Sequence, residues 1–431
     1  MKSHWNRRHV LRQAALAGTA AALGTLPARP LFAASPNEKL NLAVVGCGNR
    51  GGANLGGVSG ENVVALCDVD DRQAARAYKA HPKARKFRDF RKMLDAVGRE
   101  IDAVVVSTPD HTHAPPAVAA MKMGKHCYCE KPLAHSVYEV RTMREIAQQK
   151  KLATQMGTQI HAEPNYRRVV ELIQSGAIGP VGEVHVWFGG SYAGKDRPKE
   201  TPPVPPELDW DLWLGPAPTR PYHPCYLPGT WRRWWDFGCG ALGDFGCHYM
   251  DLPFWALGLR YPTSIEAEGP PVHPEGTPGW LTIRYEFPAR GALPPVRLTW
   301  YDGGRRPEPV QQGKVPNWGS AVLFVGQKGM LLADYGRRKL LPEAQFDGFQ
   351  APKPTIPDSI GHHREWIAAC KTGSPTTCNF DYSGALAEAV VLGNVAFHCG
   401  KKLLWDAASL KATNCPEADP YIRPEYRQGW G

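Results

Sequence analysis

Two short stretches of this 431-residue chain hold side chains whose types and spacing could do chemistry. In "CEKPLAHS" (129–136), Glu130 and Lys131 stand before Pro132, where an apolar run ends. A lysine held at the end of a strand, in a turn stiffened by the following proline, could polarise a hydroxyl or carbonyl oxygen and pass protons. In "GCGALGDFGCHYMD" (238–251), Asp244, His248 and Asp251 are spaced i, i+4, i+7. On a helix over 243–257 they would share one face. Two acids and a histidine behind a Gly-rich turn could deliver general acid–base chemistry. Taken alone, the same residues read more plainly as a capping Asp and a core His.

The elements that must position these residues begin at "KLNLAVVGCGNRGG". A short apolar, β-branched run from Leu40 to Val45 predicts a strand, and Gly46-x-Gly48-x-x-Gly51 follows it directly. A helix can start there, and "NVVALCDVD" predicts a second strand ending at Asp68, 20 residues after Gly48. Strand, Gly-rich loop, helix, strand and acid in this order form a dinucleotide fingerprint. Gly46 permits the tight turn, Gly48 the approach of a pyrophosphate, and Gly51 close packing of helix on strand. The loop residues Asn49 and Arg50 fall in the same cradle, and the helix N-terminus favours phosphate. Asp68 would accept from ribose hydroxyls. A 2′-phosphate would meet Asp68, Asp70 and Asp71, so NAD is expected over NADP, with Arg72 keeping the second open.

The alternation continues through "DRQAARAYKA", "RDFRKMLDAV", "IDAVVVSTP", "PAVAAMKMG", "KHCYCE", "SVYEVRTMREIAQQKK" and "LATQMGTQ". This βα rhythm predicts a doubly wound parallel sheet over 39–160. Lys131 then sits at the carboxyl end of one strand. "STPDHTHA" (107–114), with Thr108, Pro109 and His113, ends the preceding strand and lines the same crevice, where ligands bind in such folds.

Residues 161–406 read as a second, α+β domain. "EPNYRRVVELIQSGAIGPVGEVHVWFGGS" is helix, turn and strand, and segments such as "GWLTIRYEF" and "PVRLTWYDG" predict antiparallel strands. Residues 196–236 form a Pro/Trp-rich excursion that suits either the faces of a sugar or plain loop packing. "HHREWIAACKTG" and "SGALAEAVVLGNVAFHCGK" predict helices, with His362 and His363 in solvent or capping roles. Residues 407–431 read as a Pro-rich tail, placed to wrap a partner subunit.

Composition bounds the rest. Hydrophobic residues at 43% and charged residues at 21% describe a globular chain, and its length calls for two domains. The +10 formal charge is misleading, because Lys2, Arg7, Arg8, Arg12 and Arg29 supply five of those charges in a stretch without acids. No Lys/Arg-rich run of nucleic-acid type is visible. The stretch "NRRHVLRQAALAGTAAALGTLPARPLFAA" reads as a twin-arginine export signal over 1–34, too short and too interrupted for a membrane span. Export by that route predicts an extracytoplasmic, periplasmic protein that folds before it leaves. The 11 cysteines include no Cys-x-x-Cys and read mostly as buried thiols, though an exported chain leaves disulfides open. His111, His113 and His248 lack a third ligand at metal spacing, so no metal is expected.

"VVGCGNRGG", "STPDHTHA", "EKPLAHS" and "GALGDFGCHYMD" resemble the Gfo/Idh/MocA oxidoreductases, the glucose–fructose oxidoreductase and inositol dehydrogenase family, over about 39–406. The resemblance implies a Rossmann domain followed by an α+β domain with an open-faced, mainly antiparallel sheet, in a homo-oligomer. It implies that Lys131 is catalytic, that Asp68, Pro109, His113 and Glu130 flank the cofactor, and that Asp244 and His248 face the nicotinamide and the substrate. A sugar, polyol or glycoside is the expected substrate. Some relatives oxidise a sugar hydroxyl transiently, eliminate the glycoside and reduce back, so glycoside hydrolysis is the alternative. A sugar-binding module that keeps NAD structurally is a third reading. Outside the cytoplasm there is no NAD pool, and export therefore implies a tightly held cofactor.

Overall fold

The computed structural model describes residues 38–430. The predicted export signal, 1–34, lies outside them. Strands β1 (Asn41–Val45), β2 (Asn62–Cys67), β3 (Arg85–Phe87), β4 (Ala103–Val106), β5 (His126–Glu130) and β6 (Thr154–Gly157) form one parallel sheet in the order β3-β2-β1-β4-β5-β6. β4 is "AVVV", buried at every position, as expected of a parallel strand covered by helices on both faces. β3 is an element that the sequence reading passed over. It is three residues, "RKF", mostly exposed and paired only with β2, so it carries no apolar signal.

Side chains fix the crossover helices at their starts. Asp70 caps Asp71–Ala80 by accepting from the Arg72 amide, and Asp89 caps Phe90–Val97 by accepting from Arg91. Ser136 and Glu139 make a reciprocal capping box at Val137–Lys150, directly after the Lys131 turn. That cap sets where the chain leaves the turn.

The second sheet has nine strands. They are β7 (Val181–Trp187), β8 (Ser264–Glu268), β9 (Thr282–Phe287), β10 (Val296–Tyr301), β11 (Ala321–Gly326), β12 (Gly329–Ala333), β13 (Arg338–Leu341), β14 (Leu403–Asp406) and β15 (Lys411–Ala412). Their order is β13-β12-β11-β7-β10-β9-β8-β14-β15, antiparallel except for β7 beside β10. Among the described residues no helix is long and apolar enough to cross a membrane.

The helix Phe380–Cys399 joins the two halves. It is buried along nearly its whole length and packs against Val137–Lys150, against Gly240–Tyr249 and against β8. One apolar core accordingly runs through both domains, from Val45 and Cys129 to Leu386, Tyr285 and Trp300. Where Arg141 meets Glu388 inside it, the guanidinium donates from Nη2 at 2.9 and 3.0 Å and from Nε at 3.2 Å. Both side chains are almost wholly buried. Arg144 reaches Asp381 one turn along, at a site half open to water.

The expected single helix over 243–257 is two, Gly240–Tyr249 and Asp251–Leu257. Pro253 has no N–H to offer the preceding turn, so the helical ladder breaks there and the second helix takes its own direction.

Arg141→Met leaves Glu388 as a buried charge without its partner, and we expect a loss of about 3–5 kcal/mol in denaturant unfolding. Arg144→Ala, at the exposed pair, should cost about 1 kcal/mol or less. Equal costs would show that the buried pair is not set apart from the exposed one.

Candidate active site

A cavity of about 630 Å³ lies along the carboxyl edge of the parallel sheet and extends to the second domain. Its floor is the loop after β1. Gly46 has φ +82, and a Cβ there would lie 2.6 Å from the Ser107 carbonyl oxygen. A Cβ on Gly51 would lie 2.0 Å from the Gly46 carbonyl oxygen. Only glycine fits either position. Asn49, at φ 42, precedes the helix Arg50–Gly57, and no side chain caps that helix. The Gly51 amide is spent on the Gly48 carbonyl at 2.7 Å, so the amides of Asn49 and Arg50, at the very start of the turn, are the ones open to a ligand's phosphates. Gly48, Asn49 and Arg50 line the cavity.

Asp68 ends β2 at the cavity wall, half-buried. It accepts from the Cys47 amide at 2.8 Å and the Asp70 amide at 3.0 Å, so it pins the glycine loop while its remaining lone pairs face the cavity. Burial pushes its carboxyl up to about 6, against the pull of those two amides. The neighbouring cations are already engaged, Arg72 by Asp70 at 2.7 Å and Arg88 by Asp71. Both guanidinium groups beside Asp68 are thus committed to carboxylates, in keeping with the expectation of NAD over NADP.

The β4 turn acts mainly as a brace. Thr108 and Pro109 line the cavity, and Thr108 Oγ1 donates to the Thr112 carbonyl at 2.9 Å. His113 is buried between the carbonyl oxygens of Thr108 and Pro132, at 2.8 Å from each, and so ties the turn after β4 to the turn after β5. Burial pushes its imidazole down to about 4. His111 spans the carbonyls of Trp213 and Phe237 in the same way and anchors the 196–236 excursion. Asp110, which the sequence reading did not single out, accepts from the Cys239 amide at 3.1 Å, and burial pushes its carboxyl up to about 6.

Glu130 reaches the cavity but is committed to the scaffold. It accepts from Asn54 and Gln159, both at 2.9 Å, and burial raises its pKa. His363 extends this network by bonding Asn54 at 3.0 Å while it stacks on Tyr128. His362 is buried against the Met156 carbonyl at 2.9 Å. The expected solvent or capping roles of these two histidines are therefore corrected. They dock the helix His362–Thr372 beneath the glycine loop, because Tyr128 and Trp366 close the site to water.

The reacting end is built around Asp244. Lys131 Nζ donates to the Asp244 backbone carbonyl at 2.7 Å and to its carboxylate. Arg232 Nε donates to the same carboxylate at 2.9 Å and Tyr192 Oη at 2.8 Å. Lys131 and Asp244 side chains are only 9% and 10% exposed. Burial alone would raise the Asp244 carboxyl, but Lys131 and Arg232 outweigh it and hold the group well below the usual carboxylate range. His248, one turn on, lines the cavity beside Phe245 and Tyr335. Burial, helped by Lys131, pushes its imidazole down to about 3, and its Nδ1 has no protein partner. Arg232 and Tyr192 were missed because nothing in their local sequence ties them to a residue in the helix Gly240–Tyr249.

Asp251 does not join Asp244 and His248. It is fully buried, 2.9 Å from His161 Nδ1 and 2.7 Å from the Tyr382 hydroxyl, with His161 stacked on Trp255. The helix break turns it into the core. Cys378 lies close enough to complete a three-ligand group with this pair, but His161 and Asp251 already satisfy one another. All eleven cysteines are free, and nine of them are buried.

The glycine cradle, Asp68 at the end of β2 and the Lys131–Asp244–His248 cluster are the features of a two-domain dinucleotide-binding protein. Residues 40–158 match the Gfo/Idh/MocA description "Oxidoreductase family, NAD-binding Rossmann fold". Residues 165–292 match its "C-terminal alpha/beta domain". The chain belongs to this family. It is 39% identical over 150 residues to a glycosyl hydrolase family 109 protein from Solibacter usitatus, an alignment covering 31% of this chain and 34% of that protein. It is 27% identical over 194 residues to levoglucosan dehydrogenase from Pseudarthrobacter phenanthrenivorans, covering 45% of this chain and 42% of the relative. The matches thus span less than half the length of these relatives. The solved structure of GenD2 from gentamicin A biosynthesis in complex with NAD shares the fold, with a TM-score of 0.57, 20% identity, and coverage of 89% of this chain and 100% of that one.

Asp68→Ala removes the ribose acceptor and frees the loop amide, and NAD affinity should fall by roughly 1–3 kcal/mol in titration of the protein. The unaltered protein should bind NAD better than NADP, and equal affinities would remove Asp68 from that role. Asp110 makes a separate prediction. Between about pH 4 and pH 6 the folded protein holds a proton on Asp110 that the unfolded chain has released, so stability falls as pH rises through that window. Asp110→Asn should flatten this part of the stability–pH curve. An unchanged slope would mean that Asp110 is already ionised there.

Proposed function

We propose that the protein is an NAD-dependent oxidoreductase acting on a CH–OH group of a sugar, polyol or glycoside. The observation that carries this reading is the meeting of Lys131, Asp244 and His248 at the end of the cavity opposite the ribose acid. The levoglucosan dehydrogenase likeness supports the substrate class.

When bound, NAD supplies the hydride acceptor for the substrate carbon. The protein supplies alignment and electrostatics. The ammonium of Lys131 has three donors, of which two are spent on Asp244, and the third is free for the substrate oxygen. Burial keeps the His248 imidazole neutral, so a ring nitrogen is available to accept the proton that the hydroxyl releases. Asp244 stays anionic through the cycle and offsets the charge His248 gains. Arg232 and Tyr192 hold that carboxylate in place, and Arg232 stacks its guanidinium 4.2 Å from the Trp231 ring centre at the cavity wall. A guanidinium and an indole side by side at the cavity wall suit the hydroxyls and apolar faces of a sugar.

The 196–236 excursion forms a cover with its own core of Trp213, Tyr226, Trp234 and Phe237, while Leu212, Trp213, Trp231 and Arg232 face the cavity. Such a cover favours slow cofactor exchange. With export by the twin-arginine route, it supports a cofactor that is loaded before export and recycled in place. The likeness to a glycosyl hydrolase family 109 protein keeps a second reading in view, in which transient oxidation leads to elimination of a glycoside and the reducing equivalent returns to the substrate.

Lys131→Met and His248→Ala should each lower turnover about a hundredfold or more while NAD still binds. Near-native rates in either folded variant would remove that residue from the mechanism. Protein dialysed extensively without NAD, then given a panel of polyols and chromogenic glycosides, separates the two readings. Stoichiometric NADH in solution marks a dehydrogenase. Glycoside cleavage without net NADH, abolished by borohydride reduction of the bound cofactor, marks the redox-neutral hydrolase.

A further inference from the structure

We propose that residues 424–430 belong to the cofactor site, with Trp430 covering the adenine ring of bound NAD and Arg427 strapping the segment to the excursion. The sheet order dictates where adenine must lie. Phosphates sit at the loop after β1, and Lys131 follows β5, on the β4 side of β1. The adenosine half must therefore run the other way, past Asp68 toward β2 and β3. The cavity wall there is Arg88, Phe90 and Trp430.

Trp430 is half-buried in this wall, its ring centroid 6.2 Å from that of Phe90 and tilted by 48°. The Arg91 guanidinium lies 4.6 Å from the indole centre and is itself held by Asp89, with a further 3.4 Å bond to the Gly429 carbonyl. The strap is fastened before it reaches the wall. Arg427 donates from Nε to the Gly215 carbonyl at 2.5 Å and from Nη1 and Nη2 to the Asp211 carboxylate and carbonyl, both at 2.6 Å. Its own amide donates to the Pro216 carbonyl at 3.1 Å. Tyr426 is bonded to Glu139, the residue of the capping box behind the Lys131 turn.

Three successive anchors thus run from the Lys131 turn, over the excursion, to the adenine end. The tail, read from sequence as an arm for a partner subunit, makes these contacts with its own chain. Among the described residues Trp430 belongs to no apolar cluster, and its ring lies against Phe90, the guanidinium groups of Arg91 and Arg427, and the cavity. An aromatic side chain on the cavity wall is what base stacking requires.

The inference rests on NAD filling the cavity, and fragments of NAD test the two separately. Calorimetry on cofactor-free protein should show ADP-ribose binding weakened about tenfold or more in Trp430→Ala and largely kept in Trp430→Phe, with nicotinamide mononucleotide unaffected in both. Arg427→Ala should speed NAD release in stopped-flow displacement without moving the thermal midpoint by more than the Arg427→Lys control. ADP-ribose affinity within twofold of the unaltered protein in Trp430→Ala, or equal losses for both fragments, would overturn the strap. Failure of the unaltered protein to bind ADP-ribose at all would instead remove the NAD reading beneath it.

Discussion

The ion pair between Lys131 and Asp244 is the contact on which the site depends, because it is also where the two domains meet. Lys131 is carried by the end of a parallel strand, and Asp244 by a helix packed on the other domain. Bringing a lysine and an aspartate out of water costs several kcal/mol for each ion unless geometry returns it. Here the ammonium meets a carboxylate and a carbonyl, and the carboxylate also accepts from Arg232 and Tyr192. Docking of the two domains therefore brings these charged groups together. The domains cannot separate without stranding buried charge, and the charges cannot relax without separating the domains.

The "PDHTHA" turn shows how that pair is kept in register. Its polar residues are spent on backbone, Asp110 on Cys239 at the start of the Asp244 helix, His111 on the excursion and His113 on Pro132 next to Lys131. A neutral imidazole between two carbonyls can donate to only one of them, so each ring works more through shape than through hydrogen bonds. In a water-excluded site a small displacement of Lys131 is expensive, since donors aimed at a developing charge act over short distances. The turn thus holds three separate chain segments at once.

Much of this was legible before any coordinates. Gly46, Gly48, Gly51 and Asp68 are fixed by local constraints, a tight turn, a close approach and a strand end, and these leave marks at fixed spacing. The buried strands were equally plain because "VVV" and "AVV" runs have no other home. β3 was invisible because three polar edge residues carry no period. Asp251 was misplaced because helical spacing assumes an unbroken helix, and Pro253 breaks it. Arg232, Tyr192 and Asp110 act on partners 12, 52 and 129 residues away in sequence. No local pattern encodes such pairs. His362 and His363 look like a helix start in sequence, and only the tertiary fold turns that helix end against Tyr128.

A Rossmann sheet on its own offers a dinucleotide one wall, the carboxyl edge of its strands, and leaves the outer face to water. In this chain the outer face is supplied by segments remote in sequence, the excursion around Trp213 and the 424–430 stretch. The excursion has its own apolar core, whereas the 424–430 stretch is held mainly by polar bonds, such as those of Arg427 to the Gly215 and Asp211 carbonyls. Bonds of this kind near solvent open locally at far lower free energy than the core. The 424–430 stretch can therefore open without unfolding the core. Arg232 and Trp231 line the same cavity as Trp430. Different residues wall the Lys131 end and the Trp430 end, so two ligands could exchange on different timescales, as the proposed retention of the nicotinamide demands.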